Sequence, residues 1–294
     1  MSSKLGFDYP ALVRTFPERV VSMPISEAAI VAAGLGASLV GVRPVVDLSF
    51  DDIVPRAMDE ILNQVAKARY VTAGQSQPSM TIKIDLPPVR CAQTGQRLES
   101  LFACIPGLVV AVPSDPYDAK GLMKACFRSG DVVLMIEDRW ITTKQVIPSR
   151  DYSVEFGCAK VRKSGTDVTL VTYGFMVLQA MEAAAILEKE GVSLEVLDLR
   201  TIAPLDLTTI LSSVRKTGRI VTVEGGWKRG GLGAEVSAFV AERMMDKLVS
   251  PPRRIAAETT HIPTSLALRM SVFPHVEEIV RVSRECVKGR AVAG

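Results

Sequence analysis

Apolar positions fall into two successive rhythms along this chain. From residue 19 to 137, short runs of β-branched and aliphatic residues alternate with stretches of helical spacing, which predicts strands at 19–23, 45–50, 80–86, 108–112 and 132–137. Helices are expected between them at 27–41, 52–70, 98–103 and 118–128. Residues 141–160 break the rhythm, being polar and irregular with Pro148 inside, and read as a connection. A second alternation follows, with strands at 168–172, 193–199, 219–223 and 254–257 and helices at 176–189, 205–216, 234–245 and 275–287. Parallel strands need crossover connections, so this order implies parallel sheets covered by helices on both faces. The expected architecture is α/β, with two doubly wound domains at 1–145 and 165–294 joined by a linker at 146–164.

Composition changes this picture little. A chain of 294 residues, 48% hydrophobic and 23% charged, can bury two sizeable cores. The net charge of +3 comes from scattered basic residues, which excludes the one-sided footprint of a nucleic-acid binder. The first ten residues lack the pattern of a secretory signal. The most apolar run, 28–42, is shorter than the roughly 18 residues a membrane-spanning helix needs, so the chain reads as soluble. Five cysteines without a CxxC pair suit reduced thiols in the cytoplasm.

In an open α/β sheet the ligand crevice lies beyond the carboxyl ends of the strands, which singles out Met23-Pro24-Ile25-Ser26-Glu27. By position alone Glu27 is an acid in a helix's first turn, favoured there by the macrodipole. The helix it opens carries Ala28, Ala29, Ala32, Ala33, Gly34, Gly36 and Ala37 on every side, and is expected to be buried, in part against another subunit. Gly230-Gly231-Leu232-Gly233, preceded by Lys228 and Arg229, opens a later helix. Its spacing is not GxGxxG and no acidic residue closes a following strand, so capping and close packing are expected rather than dinucleotide binding. His261 and His275 have no metal-ligand neighbours and no hydrolase context, and no metal site is expected in the chain.

Several collinear stretches carry a family resemblance: 16–30 (FPERVVSMPISEAAI), 41–44 (GVRP), 66–70 (AKARY), 105–108 (IPGL), 113–122 (PSDPYDAKGL), 167–176 (DVTLVTYGFM), 194–206 (LEVLDLRTIAPLD), 213–217 (SVRKT) and 230–235 (GGLGAE). With them the chain resembles the β-subunit of the 2-oxoacid dehydrogenase decarboxylases, a branch of the transketolase-like family. The resemblance implies a pyrimidine-binding domain followed by the transketolase C-terminal domain, with thiamine diphosphate as cofactor. It implies that Glu27 hydrogen-bonds the aminopyrimidine and promotes loss of the thiazolium proton, that Ile25, Phe50 and Ile53 also contact the cofactor, and that Thr94 and Gln96 fall on active-site positions. Family partners hold the diphosphate through magnesium with a Gly-Asp-Gly stretch followed by Asn. Here the only Asn, Asn63, precedes the only Gly-Asp, Gly130-Asp131, so magnesium is expected on an α-type partner in an α2β2 heterotetramer, with a lipoyl-domain protein as a further partner.

The chain also departs from that pattern. The opening strand with its Gly-Glu-Asp segment is not in this sequence, an aromatic that stacks on the pyrimidine is replaced by Ile53, and the Gln-His-Ser-Gln segment reads Gln93-Thr94-Gly95-Gln96. A family histidine falls on Cys104 and a cation-associated acid on Ser129. Threonine cannot relay a proton near neutral pH as histidine does, which leaves acyl transfer to a lipoyl group and transketolase-like carbon–carbon ligation both open. A non-catalytic assembly or regulatory subunit is the alternative.

Overall fold

A computed structural model describes residues 9–86, 91–139, 141 and 145–288. Among the described residues the strands are β1 (Val45–Phe50), β2 (Met80–Leu86), β3 (Leu108–Ala111), β4 (Val132–Asp138), β5 (Lys160–Lys163), β6 (Val168–Thr172), β7 (Leu194–Asp198), β8 (Thr201–Ala203), β9 (Ile220–Trp227) and β10 (Arg253–Ala257). The helices are α1 (Tyr9–Thr15), α2 (Glu27–Leu39), α3 (Ala68–Val71), α4 (Glu99–Ala103), α5 (Pro116–Arg128), α6 (Met176–Lys189), α7 (Leu207–Thr217), α8 (Leu232–Met244), α9 (Leu266–Met270) and α10 (Val276–Lys288). They build two sheets, ordered β1-β2-β4-β3-β8 and β10-β9-β6-β7-β5.

Local chemistry sets the helix ends. Asp115 caps α5 by accepting from Asp118 N at 2.7 Å, with Pro116 at the first helical position. Asp206 caps α7 in the same way, and Gly218 closes it at φ 66°, a left-handed conformation that costs glycine little. Gly34 lets α2 lie against β1, since a Cβ there would come within 2.4 Å of Val46 Cγ2.

Three expectations are corrected. Residues 19–23 form no strand: Pro17–Arg19 is a 3-10 turn and Val21, Met23 and Ile25 stand exposed, because no neighbouring strand among the described residues offers them a ladder. The expected helix 52–70 breaks into a 3-10 segment Asp51–Ala57 containing Pro55, a π-helical turn Glu60–Val65 and α3, as the proline removes a donor from the first stretch. The sheets are not purely parallel, because β8 and β5 are antiparallel edge strands on β3 and β7, and β5 lies inside the expected linker. Within the single chain Val31, Gly34 and Ser38 of α2 face the core while Ala29, Ala32, Ala33 and Gly36 are exposed.

Because β8 belongs by sequence to the second half but pairs with β3 of the first sheet, the two halves interlock. One hydrophobic core runs across both, joining Ile82, Ile84 and Leu134 to Leu197, Ile202 and Val236. Charged groups fasten the same seam. Arg162 reaches Asp115 at 2.6 Å and Asp198 at 2.6 Å and also pairs with Asp118, while Arg200 lies 3.3 Å from Asp118. Arg97, buried, pairs with Glu99 at 3.0 Å and with Asp138 under the Phe175 ring.

Candidate functional site at the carboxyl edge of the first sheet

The α2 helix is joined to β1 by a short turn, so the two run antiparallel and the N-terminus of α2 lies at the carboxyl edge of the sheet, where ligands bind in folds of this type. Glu27 sits there, only 5% exposed, and its Oε2 is 3.2 Å from Arg56 Nε. Arg56 belongs to the Asp51–Ala57 segment that leaves β1. Val54 and Ala57 pin that segment in the core, while the Arg56 side chain remains 75% exposed.

The same segment holds the other half of the predicted site. Asp52 accepts from Gly95 N at 2.6 Å and Gln96 N at 3.4 Å, which ties residues 95 and 96 to the segment that carries Glu27's partner arginine. Within that loop Thr94 Oγ1 is 3.2 Å from Cys91 Sγ, Thr94 N donates to Cys91 O at 3.2 Å, and Gln96 Nε2 donates to Ala92 O at 3.0 Å. The Thr94 hydroxyl's hydrogen bond holds the Cys91 thiol below its ordinary pKa. Ile25 is exposed beside Glu27 and Ile53 is half-buried; the side chain of Phe50 lies outside the described residues. The fold thus gathers Glu27, Arg56, Asp52 and loop 91–96 around one short segment.

Arg56 and Asp52 escaped the sequence reading, although an Asp and an Arg four residues apart directly after a strand were a signal. So did a buried ion cluster in the first sheet, signalled by a lysine inside the apolar strand TIKIDL. Lys83 is 1% exposed, with Nζ 2.6 Å from Asp85, 3.2 Å from Asp47 and 3.7 Å from Glu137, and Arg139 reaches Asp85 at 2.5 Å. Burial pushes the Glu137 carboxyl up to about 7 against the pull of Lys83. Burial opposes the lysine's charge, but Glu137, Asp85 and Asp47 hold its pKa above the ordinary value.

The glycine-rich run before α8 is filled by protein. Glu224 accepts from Leu232 N at 2.9 Å and Gly233 N at 2.8 Å, so a carboxylate occupies the helix N-terminus where a phosphate could have sat. Glycine is required there, because a Cβ on Gly231 or Gly233 would come within 2.5 or 2.8 Å of that carboxylate. Burial raises Glu224 to about 7. Among the described residues no group of three or more His, Cys, Asp and Glu side chains is placed to hold a metal ion.

Comparison with known proteins matches residues 3–143 to the transketolase pyrimidine binding domain and residues 157–279 to the transketolase C-terminal domain. The chain is 38% identical over 275 residues to the acetoin:2,6-dichlorophenolindophenol oxidoreductase subunit beta of Cupriavidus necator, covering 92% of this chain and 81% of that one. It is 36% identical over 279 residues to the pyruvate dehydrogenase E1 component subunit beta of Bacillus subtilis, covering 92% and 84%. Among solved structures it is similar to a split gene transketolase described as an inactive beta4 tetramer, with TM-score 0.80, 25% identity and coverage of 95% of this chain and 87% of that one.

Proposed function

From the premise that this chain belongs to the transketolase family, among the β subunits of pyruvate dehydrogenase E1 and acetoin oxidoreductase, we propose that it supplies the pyrimidine side of a thiamine-diphosphate site and acts with an α-type chain on a 2-oxo acid or ketose. The observation that carries this reading is Glu27: a carboxylate almost wholly buried at the carboxyl edge of a parallel sheet, with exposed surface around it. Thiamine diphosphate, when bound, supplies a thiazolium carbon that attacks a carbonyl. Glu27 would share a proton with the aminopyrimidine, a coupling that strengthens where water is excluded. Ile25, Ile53 and Phe50 are the residues that would contact the ring in this reading. Asp52 orders Thr94 and Gln96 through the loop's backbone amides, and these two side chains orient the substrate by hydrogen bonding.

Magnesium and the diphosphate belong to the partner in this reading, since the chain's one Asn and one Gly-Asp stand in the wrong order for that motif. The exposed small residues of α2 and the exposed apolar side chains of Val21 and Ile25 offer a face for close packing, which supports an α2β2 assembly. The pyrimidine-binding unit corresponds to 1–145 and the C-terminal unit to 165–294. A lipoyl-domain protein is the acceptor if the reaction is acyl transfer. Five cysteines without a CxxC pair support a reducing, cytoplasmic setting in this reading; no described helix is long and apolar enough to cross a membrane.

The deciding experiment is co-purification with a chain bearing Gly-Asp-Gly…Asn, followed by a donor and acceptor screen with magnesium and thiamine diphosphate. Turnover by the pair and not by either chain alone is the expected result; tight magnesium-dependent cofactor binding by this chain alone defeats the two-chain site. Thr94 in the histidine position favours one other reading, a subunit retained for assembly, for which the pair would form and bind cofactor without turnover.

A further inference from the structure

We propose that Arg56 is a latch on Glu27, a positioning residue that holds the carboxylate in the unliganded chain and must release it for the cofactor ring to bind. The inference rests on the proposed role of Glu27 and goes beyond it to a residue that neither the family match nor the sequence pattern singles out. A buried carboxylate needs a partner, and in the absence of ligand Arg56 provides it, with Nε 3.2 Å from Oε2. The arginine's backbone cannot drift away, because Val54 and Ala57 on either side are fully buried and Pro55 restricts the turn. Its side chain is free to move, being 75% exposed against 6% for Glu27. Opening the pair therefore returns a guanidinium to water while the carboxylate turns to its new partner.

The geometry makes the two partners compete. Arg56 Nε already holds Glu27 Oε2 at 3.2 Å, and a carboxylate turned toward that guanidinium is not turned toward a ring nitrogen. Arg56 and the aminopyrimidine thus need one side chain in two orientations. Arg56 lies on the same segment whose Asp52 accepts from Gly95 N, so seating the cofactor, freeing Glu27 and ordering loop 91–96 are mechanically adjacent events.

Two measurements test the latch. In this chain alone, 15N relaxation of the Arg56 side chain should show it restrained, and E27Q should release it to the mobility of an exposed arginine; equal mobility in both proteins overturns the resting pair. In the complex with the α-type chain, calorimetry with thiamine diphosphate and magnesium should give R56Q about two- to fivefold tighter cofactor binding than wild type, the range expected for one partly exposed ion pair. Raising salt should close that gap by screening the wild-type pair, and R56K, which keeps the charge, should restore the salt dependence. Unchanged or weaker binding by R56Q overturns the proposal. A wild-type complex that binds no cofactor defeats the reading of Glu27 itself, whereas normal binding with Arg56 still restrained defeats the latch alone.

Discussion

Two polar regions of this molecule are built on opposite principles. At the seam between the sheets, Arg162 is shared by Asp115, Asp118 and Asp198, Ser114 donates to Asp198, and Arg200 backs Asp118. At the carboxyl edge of the first sheet, Glu27 pairs with a single exposed arginine, and loop 91–96 is tied by Asp52. Charges that only hold the fold are satisfied several times over from within the chain. The edge carboxylate is held by one group that is exposed enough to leave. In the proposed reading the seam serves stability and the edge serves function, and each prediction below attacks one side of that contrast.

The largest effect is expected at the seam. Arg162→Met leaves three carboxylates facing one another without their shared cation, and breaking a buried pair in this way costs about 3–5 kcal/mol. Denaturant unfolding should show that loss; a change within about 0.5 kcal/mol, the range of ordinary surface substitutions, would mean the seam is held by its apolar core alone.

At the edge the expected loss is in rate. Glu27→Gln should lower turnover of the reconstituted complex at least ~100-fold, the scale of a lost acid–base group, and slow thiazolium proton exchange in parallel, with no loss of assembly. Normal exchange and turnover in that variant would make the edge a scaffold and erase the contrast.

A third test uses pH. Buried Glu224 has its pKa raised from 4.5 to about 7, so the folded chain holds a proton that the unfolded chain gives up. Between about pH 4.5 and pH 7 the native state binds more protons, and stability must fall as pH rises through that window, on the order of 3 kcal/mol for a shift of this size. Glu224→Gln should flatten the fall, while Glu137, also raised to about 7, keeps part of it. Stability curves that superimpose would mean Glu224 is already ionised at low pH by its two backbone amides.

The smallest effect is expected at Thr94. Because its hydroxyl can orient but not relay a proton, Thr94→Val should move substrate KM or product distribution by about two- to tenfold and leave thiazolium proton exchange within about twofold. A parallel collapse of exchange would put Thr94 in the proton path and enlarge the functional edge.

Much of the scaffold was legible from the residues. The runs at 45–50, 80–86, 168–172 and 176–189 became β1, β2, β6 and α6 at the expected bounds, because each buries at least one face in a core and the apolar pattern reports that burial. Failures cluster where a partner strand decides the outcome. Residues 19–23 have strand composition but find no ladder, whereas the polar KVRK of β5 and the three-residue β8 became strands because β7 and β3 offered edges. Of the candidate site, the P-I-S-E match pointed to Glu27, but Arg56, Asp52 and the Lys83 cluster needed side chains from segments distant in sequence to be brought together.

The sequence by itself determined the order of elements, the division into two α/β halves and the identity of the carboxylate at the edge, since these depend on local periodicity and on a contiguous motif. Only the tertiary structure decided that β8 crosses to the first sheet, that Glu224 fills the N-terminus of α8, and that Arg56 rests on Glu27. Each of those is a pairing between groups separated along the chain, and their energies fall off over a few ångströms. No one-dimensional pattern encodes which groups arrive within that distance.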